Sequence, residues 1–65
     1  MKRYLIYEGV EDNMDEGDRF DSLTEAKKRA QINVEEAGFM GLKGYLANVV
    51  DTKTGAFVFT AGNRE

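Results

Sequence analysis

One segment, residues 20–38, has the periodicity of an amphipathic helix, and strand-like segments flank it on both sides. Ser22 and Glu25 form a Ser-x-x-Glu capping box, in which each side chain satisfies a backbone amide that the first turn leaves without a partner. Apolar side chains then recur three or four residues apart, which places them in one stripe on the helix. The members of the stripe are Leu23, Ala26, Ala30, Val34 and Ala37. Because three of these five are alanine, the helix can lie close to a sheet but contributes little apolar area itself.

The pattern predicts that this helix ends at Gly38. A residue that follows the last helical turn often takes a positive φ, and glycine does so without steric cost. We therefore expect Gly38 at that position. The next residue, Phe39, would then fold its ring back onto the last turn.

Three further segments favour β-strands. Residues 3–8 are rich in aromatic and branched side chains, and the alternation leaves open which of their two apolar faces meets the helix. Residues 45–50 and 56–61 flank the sequence DTKTG. An Asp that opens a turn and a Gly that closes it are typical of a short hairpin loop, so we expect Asp51 and Gly55 to bound one.

The expected hairpin pairs Val50 with Ala56, and this register predicts two different faces. The face predicted to lie on the helix carries Tyr45, Ala47, Val49, Phe57, Phe59 and Ala61. The opposite face is mixed, and too apolar for a sheet face in water. It carries Leu46, Asn48, Val50, Ala56, Val58 and Thr60. A homodimer through this open sheet face is therefore one alternative.

The predicted fold class is α+β, with an antiparallel sheet of three to four strands and one helix packed on one face. The predicted order of elements is β-(short β)-α-β-β, in a single small domain over residues 1–65. A chain this short buries only about 60% of its unfolded surface, so its core is marginal. Dense packing or self-association would have to compensate, since the chain has no cysteine.

An acidic segment, residues 8–21, precedes the helix. An EF-hand calcium loop with Gly17 in sixth place would put Met14 third and Leu23 twelfth, where oxygen ligands are needed, so we expect no metal site. We interpret the segment as a solvated loop, with a short strand at Arg19 and Phe20 as an option. The alternative is a patch that mimics nucleic-acid phosphates. The segment holds seven of the twelve acids, namely Glu8, Glu11, Asp12, Asp15, Glu16, Asp18 and Asp21.

The composition excludes several classes of function. The chain has neither cysteine nor histidine, and no pair of its acids has a spacing that implies a shared site, so we expect no enzyme and no cofactor. A net charge of −3 argues against direct sequence-specific nucleic-acid binding. The run GAFVF at residues 55–59 resembles part of an RNA-recognition strand, but Phe57 and Phe59 are better explained as core. The absence of a signal peptide and of a long apolar run favours a cytoplasmic protein without a membrane segment.

The outward face of the predicted helix offers candidate binding residues. Lys28 and Ile32 lie opposite the apolar stripe, and Lys27 and Arg29 lie on its two flanks. One interpretation is a solvated charged face with a single exposed isoleucine. The other is a docking face, in which Ile32 is an apolar anchor beside cations that seek an acidic or phosphate-lined partner.

The sequence SLTEAKKRA at residues 22–30, after the N-terminal strand MKRYLIYEGVE, resembles a small type I-F anti-CRISPR family of phage and mobile-element proteins. The resemblance covers roughly the first half of the chain. It implies binding to the backbone subunits of a crRNA-guided surveillance complex and a block of target-DNA hybridisation, through basic residues on the helix. Lys27 and Lys28 correspond to two of those residues, and Ile32 stands where a third would be expected. A phage inhibitor of host RNA polymerase shares the broad layout.

The functional hypothesis is a small phage-type inhibitory binding protein, an anti-CRISPR that contacts a host protein or ribonucleoprotein complex in the cytoplasm of the host cell. The expected binding residues are Lys27, Lys28, Arg29 and Ile32. Two alternatives stay open: a small dimerising interaction protein, and an acidic nucleic-acid mimic that acts through residues 8–21.

Overall fold

The computed structural model describes residues 2–10 and 12–63. Its elements, in chain order, are β1 (Tyr4–Val10), β2 (Asn13–Phe20), α1 (Leu23–Phe39), β3 (Tyr45–Asp51) and β4 (Ala56–Asn63). The four strands form one antiparallel sheet in the order β2-β1-β3-β4, and α1 packs on one face of it. The predicted α+β class is confirmed.

Helix α1 begins where the capping box predicts. Ser22 is the N-cap, and its Oγ accepts a hydrogen bond from the backbone N–H of Glu25 at 3.5 Å. Four of the five stripe residues are buried and the fifth, Leu23, packs against the core. The buried four are Ala26, Ala30, Val34 and Ala37.

The predicted helix end is wrong. Gly38 is still helical, and the residue with positive φ is Gly41, at +80°. The Gly41 N–H donates to Gly38 O at 3.0 Å and the Leu42 N–H donates to Ala37 O at 2.9 Å, which is the Schellman arrangement. Leu42 therefore takes the position expected for Phe39, whose side chain is 92% exposed. Two glycines three residues apart both suited this role, and local pattern could not choose between them.

The core lies between α1 and one face of the sheet. Ile6 and Val49 are its largest fully buried side chains, and the alanines of α1 approach them closely. Tyr4 and Phe20 pack at the border of this cluster. The face of β1 that carries Tyr4 and Ile6 is thus the one that meets the helix.

The expected register of the β3–β4 hairpin is also wrong. Asp51, not Val50, pairs with Ala56, so Val50 lies opposite Phe57; a β-bulge at Val58 then adds one residue to β4, so that Val49 pairs with Phe59. Phe57 consequently leaves the helix face and is 62% exposed on the open face. Phe59 stays on the helix side, opposite Val49. The bulge changes the alternation of side chains between Phe57 and Phe59, which simple strand periodicity does not anticipate.

The acidic segment is mostly a strand rather than a loop. β2 pairs along its length with β1, so backbone hydrogen bonds stabilise it despite its acidic side chains. Asp15 lies opposite Glu8 and Glu16 lies opposite Tyr7, so the two acids point to opposite faces of the sheet. As an edge strand, β2 exposes most of its side chains to water, which removes the electrostatic cost that a buried acidic strand would carry.

An ion pair joins the start of the chain to the β3–β4 hairpin. The Nε and Nη2 atoms of Arg3 donate to the two carboxylate oxygens of Asp51, each at 2.8 Å. The backbone N–H of Lys53 donates to Asp51 Oδ1 at 3.0 Å. The hydrogen bonds from Arg3 are the main cause that lowers the pKa of Asp51 from 3.8 to about 2.

This depressed pKa predicts an acid-sensitive contribution to stability. An Asp that is more acidic in the folded state stabilises the fold while it is ionised, so this contribution should disappear as the pH falls from about 4 to about 2. We expect Asp51→Asn to have a lower Tm than the parent at neutral pH, with a difference that shrinks across this window. Thermal melts of both proteins from pH 7 to pH 2 measure it. A Tm difference that stays constant over this range would contradict the assignment.

Candidate docking surface

A shallow groove lies between the first half of α1 and the end of β2. We call it the helix–β2 groove. The lining residues are Phe20, Glu25, Lys28, Arg29 and Ile32. Phe20 lines the groove because β2 ends only two residues before the N-cap, which places this ring beside the first turns of α1.

The cations of the groove form no ion pair with another residue that the structure describes. Lys28 and Arg29 are exposed. Within residues 2–10 and 12–63, the side chains that form ion pairs, with nitrogen–oxygen distances of 4.0 Å or less, are Arg3 with Asp51 and Arg19 with Glu16. Neither groove cation therefore pairs with a carboxylate of the described residues, although Glu25 also lines the groove. Both can bind an external anion without breaking an ion pair among the described residues.

Ile32 supplies an apolar element beside these cations. Ile32 is 36% exposed and lines the groove together with the half-buried Phe20. An apolar anchor beside cations fits a protein surface that carries both carboxylates and an apolar side chain. The groove is therefore suited to protein recognition.

Lys27, the fourth predicted binding residue, lies elsewhere. Its Nζ is 5.4 Å from the centroid of the Phe59 ring, on the side of α1 that faces β4. This is the distance of a cation–π contact, so Lys27 contributes to packing over Phe59. The structure thus brings together Lys28, Arg29 and Ile32, and separates Lys27 from them.

Sequence reasoning missed two features of the surface. The first is Phe20 in the groove, which appeared only as the end of a short strand. The second is an apolar projection at the end of α1, where Phe39 and Met40 are exposed. The glycine-rich run after the helix is the signal that could have indicated it, because a helix that ends late leaves these side chains in solvent.

A second hollow lies beside this projection and is acidic. Glu8 and Glu36 line it together with Tyr45, and Asn33 Nδ2 donates to Glu8 Oε2 at 2.5 Å. Burial raises the pKa of Tyr45, and the negative charges of Glu8 and Asp15 raise it further. The charge of this acidic hollow is opposite to that of the helix–β2 groove, so the two surfaces suit different partners.

The part of the chain that the structure describes contains no group of three or more Asp or Glu side chains arranged to hold a metal ion. None of the helices in that part is long and apolar enough to cross a membrane. No protein-family model, no curated protein and no solved structure matches this chain. The site must therefore be interpreted from its own chemistry.

Proposed function

We propose that this chain is a stoichiometric inhibitory binding protein that docks through the helix–β2 groove. The observation that carries the proposal is the convergence of Lys28, Arg29 and Ile32 beside Phe20, with both cations outside the ion pairs of the described residues. Charged groups that have no internal partner do not have to exchange one contact for another when they bind. The interaction needs neither a cofactor nor a chemical step.

The proposed target is a crRNA-guided surveillance complex in the cytoplasm of the host cell. The resemblance of residues 22–30 to the anti-CRISPR family supports this choice, because that family docks with basic residues of the corresponding helix. Lys28 is the helix lysine of this pattern that lies in the groove, whereas Lys27 contacts Phe59. The carboxylates of a backbone subunit are the expected partners of Lys28 and Arg29. Docking there would block target-DNA hybridisation.

The test is a binding measurement with a purified type I-F surveillance complex. Lys28→Glu combined with Arg29→Glu should abolish binding, because charge reversal at complementary contacts replaces attraction by repulsion and costs several kcal/mol. Ile32→Ala should weaken binding by about 1–2 kcal/mol if the side chain is a desolvated anchor. Biolayer interferometry measures the affinities, and a target-DNA binding assay measures the inhibition.

The matched control is Lys43→Glu combined with Lys53→Glu, which changes the net charge by the same amount at exposed positions away from the groove. This variant should bind like the parent. If both double variants lose binding equally, net charge rather than the groove determines affinity. A parent protein that does not bind the complex would refute the proposed target.

A second double variant tests the alternative that the protein is an acidic nucleic-acid mimic. Asp15→Lys combined with Glu16→Lys should leave binding intact if the groove is the site. If this variant loses binding while the groove variant keeps it, β2 is the binding surface instead. Asp15 and Glu16 point to opposite faces of the sheet, which argues against a single acidic patch, since a phosphate mimic needs its charges on one surface.

A further inference from the structure

The two edges of the sheet differ in how they are protected. Edge strands expose backbone N–H and C=O groups that can pair with another chain, and natural proteins usually protect them with charges, proline, β-bulges or coverage. β2, at one edge, carries three acids and an arginine, Asp15, Glu16, Asp18 and Arg19. β4, at the other edge, reads AFVFTAGN and contains neither a charged residue nor proline, so the bulge at Val58 is the protection that it carries.

β4 is also where exposed apolar side chains of the sheet are concentrated. Phe57 is 62% exposed and Val58, the extra residue of the bulge, is 41% exposed. Within residues 2–10 and 12–63, β3 is the strand that pairs with β4, and nothing pairs with its outer side. The outer edge therefore combines backbone groups without a strand partner with an apolar surface.

We propose that β4 pairs antiparallel with β4 of a second copy of this chain, around a two-fold axis perpendicular to the sheet. The product is a continuous eight-stranded sheet with both helices on the same side. A second copy fits because the interface is isologous, so each strand offers the same neutral edge to the other. Charge repulsion between two β2 edges would oppose the alternative pairing, since each is acidic.

The small core provides a second reason for self-association. Only two large side chains, Ile6 and Val49, are fully buried in the described residues. Chains of this length without disulfides commonly gain stability from oligomerisation. Pairing of β4 with its copy would bring Phe57 and Val58 beside the side chains of the facing strand and remove part of their surface from water.

The expected affinity is modest. Eight residues of strand extend over about 27 Å, so the shared edge belongs to the small class of interfaces. We expect a Kd on the order of 10–100 μM. Sedimentation equilibrium from about 1 μM to about 1 mM covers the transition between one and two copies of the 7.3 kDa chain.

The variant that tests the edge is Val58→Lys, which places a charge on β4 in the way that natural edges are protected. We expect it to remain a monomer at concentrations where the parent dimerises, with unchanged circular dichroism. The matched control is Val10→Lys, another exposed valine at the end of β1, which should dimerise like the parent. A parent that stays monomeric at about 1 mM would overturn the proposal. The proposal would also be overturned if Val10→Lys were a monomer while Val58→Lys dimerised like the parent.

A crosslink locates the contact directly. The chain has no cysteine, so one introduced cysteine is a unique label. Thr60 lies near the middle of β4, where a two-fold axis brings a residue close to its own copy, and Thr60→Cys should form a disulfide-linked dimer on mild oxidation. Thr24→Cys, an exposed threonine on α1, should not. Equal crosslinking of both variants would show random collision and overturn the proposal. This test needs no other protein, so its result is independent of the proposed function.

Discussion

Ile6→Ala should remove most of the stability of this protein. Ile6 lies on β1 and is fully buried in the core cluster between the sheet and α1. Truncating a buried isoleucine to alanine usually costs about 2–5 kcal/mol, because it loses transfer free energy and leaves a cavity. A chain of 65 residues has roughly 3–10 kcal/mol in total. Urea unfolding followed by circular dichroism measures the change.

The same substitution at Ile32 is the matched control for this prediction. Ile32 is 36% exposed on the outer side of α1, so Ile32→Ala should change the free energy of unfolding by only a few tenths of a kcal/mol. Two isoleucines in one small chain thus have opposite roles, one in the core and one on the surface. If both variants lost the same stability, the assignment of the helix faces would be wrong.

Gly9→Ala should have the second largest effect, at the end of the β1–β2 hairpin. Gly9 has a φ of +150°, and a Cβ atom there would lie 2.2 Å from the backbone oxygen of Asn13. The neighbouring strand would have to move, because that atom is backbone and cannot rotate away. We expect a cost of about 2–4 kcal/mol from the strained φ and the clash together.

The control for Gly9→Ala is Gly44→Ala, in the loop before β3. Gly44 also has a positive φ, at +72°, but nothing lies within 4 Å of the position of its Cβ. This variant should show only the conformational cost of about 1–2 kcal/mol. Amide exchange distinguishes the two sites, since only Gly9→Ala should accelerate exchange in β2. Equal effects on stability and exchange would show that the close approach to Asn13 is not important.

The helix, its cap and its buried stripe could be predicted from sequence because each depends on residues within one or two turns. Ser22 and Glu25 are three positions apart, and the stripe repeats on a single period. The turn at Asp51 and Gly55 was equally local, and Gly55 has the expected positive φ of +77°. Local periodicity and turn chemistry were sufficient for the α+β class as well.

The candidate site was predictable only in part. Helical geometry alone showed that Lys28 and Ile32 lie on the outer side of α1, and that Lys27 and Arg29 lie on different flanks. It did not show which flank faces β2 and which faces β4. That depends on the strand order, which places Phe20 beside Arg29 and Ile32 and places Phe59 beneath Lys27.

The sequence by itself therefore determined the helix with its N-cap and its buried face, strands β1, β3 and β4, and the turn between Asp51 and Gly55. The tertiary structure alone decided the one-residue bulge in β4, the pairing of the acidic strand with β1, and the contact between Arg3 and Asp51, 48 residues apart. The physical reason is the range of the interactions. Capping, periodicity and turns act between neighbours in the chain, whereas strand register and ion pairs depend on which segments meet after folding.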